Sequence, residues 1–231
     1  MGRTLRPIDS DLVYHVINRG NNRQDVFIED DDRRAFLDSL GRAKGRYPFR
    51  LFGYCLMTNH FHLLLRTEPG VSVSRIMQSL TIAHTWRHHR NHGSTGHVWQ
   101  GRFKSPAIQE DGHFWTVLRY IEANPLRAGL VDDPADYPWS SYAAHGLGQD
   151  DPLLSPIPDW PDLGRTEPLR RLAWRRKDRA DLPEADLASI RQSVSSGRPF
   201  GEPAWSDAIK EALGLPDQPR PRGRPRKTAA P

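Results

Sequence analysis

Two apolar runs stand almost end to end in this 231-residue chain, PFRLFGYCLM at 48–57 and HFHLLLR at 60–66, with only Thr58-Asn59 between them. Such a pair reads as a β-hairpin, and a hairpin this apolar makes an antiparallel sheet the centre of the fold. Upstream, LVYHVINRG (12–20) alternates and stops at Gly20, which predicts a first strand followed by the loop GNNRQ. From about Asp30, Phe36, Leu37, Leu40 and Ala43 recur at helical spacing, with acids near the start and bases near the end, and Pro48 stops the run. From Ser72 to about Asn91, Val73, Ile76, Leu80 and Ala83 trace a second helix, closed by Gly93. SPAIQ (105–109) reads as a last short strand. Asp111 then caps a third helix whose Phe114, Val117, Leu118 and Ile121 face a core. This order predicts an α+β fold, an antiparallel sheet with helices packed on one face.

Inside the hairpin, alternation sends His60 and His62 to one strand face and Phe61 to the other. Two readings fit an isolated pair of this kind: partly exposed imidazoles on a sheet edge, or two ligands that share a metal ion. On the third helix, His113, Thr116, Tyr120 and Asn124 lie opposite the apolar residues, so Tyr120 and Asn124 share a polar stripe. Pro125 marks Asn124 as a candidate helix terminator as well.

Charge points to a polyanion. Basic residues outnumber acids 33 to 28, and the stretch 69–109 contains no Asp or Glu, while holding Arg75, Arg87, Arg90, Arg102, Lys104 and five histidines. A surface kept clear of negative charge suits nucleic acid, although a solvated basic face gives the same count. The single cysteine, Cys55, excludes an internal disulfide and a Cys-rich zinc site, and fits a reducing cytoplasm. No apolar run approaches a membrane span, and no apolar stretch follows the initial MGRTLRP as a signal peptide would require. The segment from Gly146 to Gly164 is rich in Pro, Gly and Asp and reads as a linker (146–164), with short helical patterns beyond it (165–215) and a basic tail, disordered by composition, at 216–231.

Five stretches taken together carry a resemblance: YHVINRGNNR (14–23), YCLMTNHFHLLL (54–65), GHVWQGRFKS (96–105), RYIEANPLRAGLV (119–131) and DYPWSSY (136–142). In this order they resemble the REP-associated tyrosine transposases, a subgroup of the HUH single-tyrosine transposases. GRPF near 197 and GRPRK near 223 are similar to the ends of longer members. The resemblance implies a ferredoxin-like HUH nuclease fold over residues 1–145. It also implies a divalent metal, Mg²⁺ or Mn²⁺, held by His60, His62 and Asn124, with Tyr120 as a nucleophile that forms a 5′-phosphotyrosine on single-stranded or hairpin DNA. A bacterial cytoplasmic, nucleoid-associated protein, monomeric or homodimeric, is implied with it.

Beside this, the residues suggest their own DNA contacts. Trp99, Arg102 and Lys104 combine an aromatic ring with cations, as single strands require, and Arg19 and Arg23 flank the tight loop Gly20-Asn21-Asn22. In the tail, Arg222, Arg224 and Arg226 surround the Arg-Gly-Arg-Pro core of a minor-groove hook, which reads equally as nonspecific phosphate glue. A host nuclease that only nicks and rejoins repeats, a DNA-binding regulator without catalysis and a phosphate-binding metabolic metalloenzyme are the rival functions.

Overall fold

A computed structural model describes residues 12–179 and 182–216. Four strands form one sheet: β1 (Val13–Arg19), β2 (Phe49–Leu56), β3 (His60–Thr67) and β4 (Ala107–Ile108), in the order β2-β3-β1-β4 with antiparallel neighbours. The expected hairpin is β2-β3, closed by the bond from Met57 N to His60 O. Helices α1 (Asp30–Arg46), α2 (Val73–His92) and α3 (Gly112–Glu122) follow the anticipated order, and a short turn, α4 (Asn124–Arg127), continues past α3. Further on lie α5 (Glu167–Arg179), α6 (Glu184–Ser196) and α7 (Pro203–Ala212). No helix among the described residues is long and apolar enough to cross a membrane.

The α+β class with an antiparallel sheet is present, but the helices cover both faces of the sheet rather than one. Alternation along the strands explains the division. Tyr14, Val16, Phe61, Leu63 and Leu65 point to one side and form a core with Phe36 and Leu40 of α1 and Ile76, Met77 and Leu80 of α2. Val13, Phe52, Cys55 and Leu64 point to the other side and pack under Val117, Leu118 and Ile121 of α3. Both faces of the central strands are apolar, so each needs its own cover. The inward stripe of α2 is also shifted from the expected one. Ile76, Met77, Leu80, His84 and His88 are buried, while Ala83 is exposed. His84 earns its inward place by donating from Nε2 to Val26 O at 2.7 Å.

Two contacts set the height and angle of α3 on the sheet. The first is Gly53, beside a register shift in β2, where a β-carbon would stand 2.3 Å from Leu118 Cδ1 and 3.2 Å from Ser141 Oγ. The missing side chain lets the helix settle onto the strand. The second is Glu122, the last residue of α3 and fully buried. Its Oε1 accepts from Ser141 Oγ and from His145 Nδ1 at 2.7 Å, and its Oε2 accepts from Trp174 Nε1 of α5 at 2.9 Å. Ser141 in turn is bonded to the backbone of Tyr54 in β2.

The Pro-rich segment marked as a linker lies along the sheet edge. Ser155 N donates to Leu51 O, and Ile157 is buried in the core under α3. Phe200 exchanges backbone bonds with β4, covering that edge as well.

Two substitutions test this seating. Gly53→Ala should cost about 1–3 kcal/mol through overpacking against Leu118. Glu122→Ala leaves the buried donors of His145 and Trp174 without an acceptor, while Ser141 Oγ keeps Tyr54 O, and should cost at least about 2 kcal/mol. Urea unfolding measures both, and parental midpoints for either variant would refute the corresponding contact.

Candidate active site

On β3 the alternation places His60 and His62 on the α3 side of the sheet, with Phe61 in the opposite core. Tyr120, half-buried near the end of α3, comes down over them, its ring centroid 5.8 Å from that of His62 and nearly perpendicular to it. The two histidine rings stand 5.0 Å apart. The helix does break where Pro125 predicts, at Ala123, but α4 resumes the turn at once. Asn124 therefore stays on the same side as Tyr120, with its Nδ2 2.8 Å from His62 Nε2. Residues 60, 62, 120 and 124, distant in the chain, meet in one place.

Two further residues belong to this cluster and are absent from the expected set. His15 on β1 is fully buried, its Nε2 2.8 Å from His62 Nδ1 and its ring 5.9 Å from that of Tyr120. The alternation of YHVIN already puts His15 on the side of Val13, but only the pairing of β1 with β3 brings it to His62. Arg127 on α4 donates to Tyr120 O and holds its guanidinium carbon 4.4 Å from the centre of the Tyr120 ring. Its spacing of three from Asn124 on the same turn is the signal that could have found it.

Burial keeps these imidazoles neutral. It pushes His15 down to about 3 and, with the charge of Arg19 adding to it, His60 down to about 4. His62 is held well below its ordinary 6.5 by burial first and by His60 and His15 second. Neutral imidazole is the form that ligates a metal. His60 Nδ1 lies 2.7 Å from Asn59 Oδ1, whose amide nitrogen is turned to Arg23 O, so His60 donates from Nδ1 and its Nε2 carries the lone pair. Among the described residues no group of three His, Cys, Asp or Glu side chains could hold a metal ion. A cation here would need an amide oxygen as its third protein ligand, and Asn124, already against His62 Nε2, carries one. Two neutral imidazole nitrogens and an amide oxygen are a donor set that a divalent cation accepts.

The expected DNA contacts divide. Arg19 is exposed at the end of β1, opposite His60 in the strand register. Arg23 is exposed in a tight turn whose Asn22 and Arg23 have φ of 50° and 61°. A β-carbon on Gly20 would stand 2.1 Å from Gln24 O, so only glycine allows this turn. The 96–104 loop crosses nearby: Gln100 N donates to Arg19 O, and Lys104 exchanges both backbone bonds with Ile17. Arg102 and Lys104 are exposed. Trp99 is committed elsewhere, its indole nitrogen bonded to Thr81 O and its ring against Phe61 and His84. It pins the loop to the core and leaves the surface to the cations. Arg222, Arg224 and Arg226 lie outside the described residues.

Residues 9–124 match the family described as "Transposase IS200 like". A Haemophilus influenzae protein named as a REP-associated tyrosine transposase is 26% identical over 106 residues, 42% of this chain and 60% of that protein. The chain thus spans about 60% of the length of this curated relative. A solved structure described as a REP-associated tyrosine transposase bound to a REP hairpin shares the fold at a TM-score of 0.53 and 17% identity, over 68% of this chain and 99% of that one.

The buried histidines make stability depend on pH with a definite sign. In the unfolded chain they titrate near 6.5, whereas in the folded one His15 titrates at about 3 and His60 and His84 at about 4. Between those values the unfolded state binds more protons. Without metal, stability should therefore be level above about pH 7 and fall steeply as pH drops from 6.5 towards 4. Thermal unfolding in EDTA across this range measures it, and a flat profile would contradict the burial of these rings.

Proposed function

Because the chain belongs to the IS200-like family of transposases, we propose that it cuts and rejoins single-stranded DNA beside a hairpin, with Tyr120 as nucleophile and a divalent cation held by His60, His62 and Asn124. The observation that carries this reading is the convergence of Tyr120 and Asn124 on the His62 ring, with His60 beside it. The family match runs from before β1 to Asn124 and so contains every residue of that cluster except Arg127. A REP-like hairpin is the proposed DNA, by likeness to the relative solved with one.

Each side chain has a task that follows from its setting. The Tyr120 hydroxyl loses its proton to solvent as its oxygen attacks phosphorus. The bond from phosphorus to the 3′ oxygen breaks, that oxygen takes a proton from solvent and leaves as a 3′ hydroxyl, and the 5′ side stays joined to Tyr120 as a phosphodiester. Storing the bond in this way allows rejoining to another strand. Arg127, over the Tyr120 ring, brings positive charge to a place where a phosphate must sit. His60 and His62, neutral and bonded at Nδ1, offer nitrogen lone pairs, and Asn124 would offer its amide oxygen once its Nδ2 turns away from His62 Nε2. A bound Mg²⁺ or Mn²⁺ would supply polarisation of the scissile phosphate and stabilisation of charge on its oxygens. Arg19, Arg23, Arg102 and Lys104 lie on neighbouring exposed loops, where they would hold the backbone of the flanking strand. The tail cations, Arg222, Arg224 and Arg226, would add phosphate contacts that weaken with salt.

Incubation with single-stranded hairpin DNA and Mn²⁺ tests the proposal. A covalent protein–DNA adduct should form with the parental chain, should vanish in Tyr120→Phe, and should fall at least about 100-fold in His60→Ala and His62→Ala. Hairpin affinity in Tyr120→Phe should stay within a few-fold of parental. Tight hairpin binding with no adduct from the parental chain would favour a DNA-binding regulator, and an adduct from Tyr120→Phe would remove Tyr120 as the nucleophile.

A further inference from the structure

We infer that His15 is a positioning residue for His62: it accepts a hydrogen bond from His62 Nδ1–H and so fixes the tautomer whose Nε2 lone pair faces Asn124. The inference rests on the metal-holding role proposed for His62. It is carried by two contacts that together fix one proton arrangement, and by the cost that this arrangement leaves on His15.

The first is the contact itself. His15 Nε2 and His62 Nδ1 are 2.8 Å apart, buried, and at a length that requires one nitrogen to donate and the other to accept. The second is the far side of the His62 ring, where Asn124 Nδ2 lies 2.8 Å from His62 Nε2. An amide nitrogen only donates, so Nε2 accepts, the His62 proton is on Nδ1, and His15 Nε2 is the acceptor. The third is the cost carried by His15. With Nε2 accepting, its own proton is on Nδ1, and that atom is buried without a hydrogen-bond partner. An orphaned buried donor destabilises the fold, and an apolar residue on this strand face, between Val13 and Ile17, would avoid it. The imidazole is kept at a place where packing alone has no use for it.

The sheet explains why His15 can do this and a nearer residue cannot. In the register of β1 and β3, His62 stands opposite Ile17 and His15 opposite Leu64, so the two histidines are diagonal neighbours on the α3 face. The rings stack at a centroid distance of 5.0 Å and an angle of 25°. A directly opposed histidine would meet His62 closer to the backbone. The diagonal one reaches Nδ1 and leaves Nε2 to Asn124. His60 obtains the same service from a different residue, because its Nδ1 meets Asn59 Oδ1 at 2.7 Å. Both candidate ligands are thus held at Nδ1, with the lone pair on Nε2, where in His62 it accepts from Asn124 Nδ2; a supporting acceptor orients a ligating imidazole in this way.

The tautomer can be read directly. Long-range ¹H–¹⁵N spectra of the full chain labelled at histidine nitrogen, recorded in EDTA near pH 7, should show His62 protonated at Nδ1, its signals identified by their loss in His62→Gln. Protonation at Nε2 would overturn the inference, and this measurement needs no change at position 15. A second arm uses Mn²⁺ alone, without DNA, by calorimetry. His15→Phe, which keeps a ring and removes the acceptor, should weaken Mn²⁺ binding about 10- to 100-fold, and His15→Gln, which restores an acceptor, should recover most of that loss. Parental affinity in His15→Phe, or equal losses in both variants, would leave only packing. An adduct with hairpin DNA from a protein whose His62 carries its proton on Nε2 would sink this inference and spare the proposed function. The Nδ1 tautomer in a protein that forms no adduct would do the reverse.

Discussion

The seating of α3 on the sheet is the contact on which the rest depends. His60 and His62 lie on a strand, and Tyr120 and Asn124 on the helical segment above it. The four meet only where the helix lies at one height over the strand. That height is set where Leu118 rests above Gly53 and where Glu122 gathers Ser141, His145 and Trp174. Glu122 is two residues from Tyr120 and two from Asn124, so a buried hydrogen-bonded network fixes the helix end that carries both. Through Trp174 the same carboxylate also binds α5, which gives the C-terminal part of the chain a structural share in the site.

Burial and basicity are arranged in layers. The inner layer, His15, His60 and His62, is desolvated and neutral, which preserves nitrogen lone pairs. The outer layer, Arg19, Arg23, Arg102 and Lys104, is exposed and cationic. A phosphodiester approaching this surface would meet charge first and imidazole second. The cost of the inner layer is a fold that weakens in acid, because every buried neutral imidazole resists the proton that the unfolded chain accepts.

The loops that carry the outer layer are held by backbone and core contacts. Gly20 permits the turn before Arg23, the 96–104 loop is tied to β1 by backbone bonds at Arg19 and Ile17, and Trp99 roots it between Phe61 and His84. An aromatic ring among cations has two uses that composition does not separate. Here the ring is an anchor, and the cations beside it are the surface.

Local pattern determined much of this protein. The hairpin, the strands β1 and β4, the limits of α1 to α3 and the common face of His60 and His62 all follow from alternation, helical spacing, caps and prolines within a few residues of each other. Tyr120 and Asn124 share a stripe for the same reason, and ordered motifs of that kind carried the family resemblance. What the sequence left open lay between elements. A strand with two apolar faces does not say which helix covers which, so the helices were expected on one side and lie on both. Trp99 shows the same amphipathic signature whether it faces a base or a core. His15 and Glu122 stood in plain view, one among apolar strand residues and one at a helix end, but a hydrogen bond between residues 47 or 52 positions apart depends on strand order and helix seating. Those are set by the packing of the whole chain, which no short window of sequence contains.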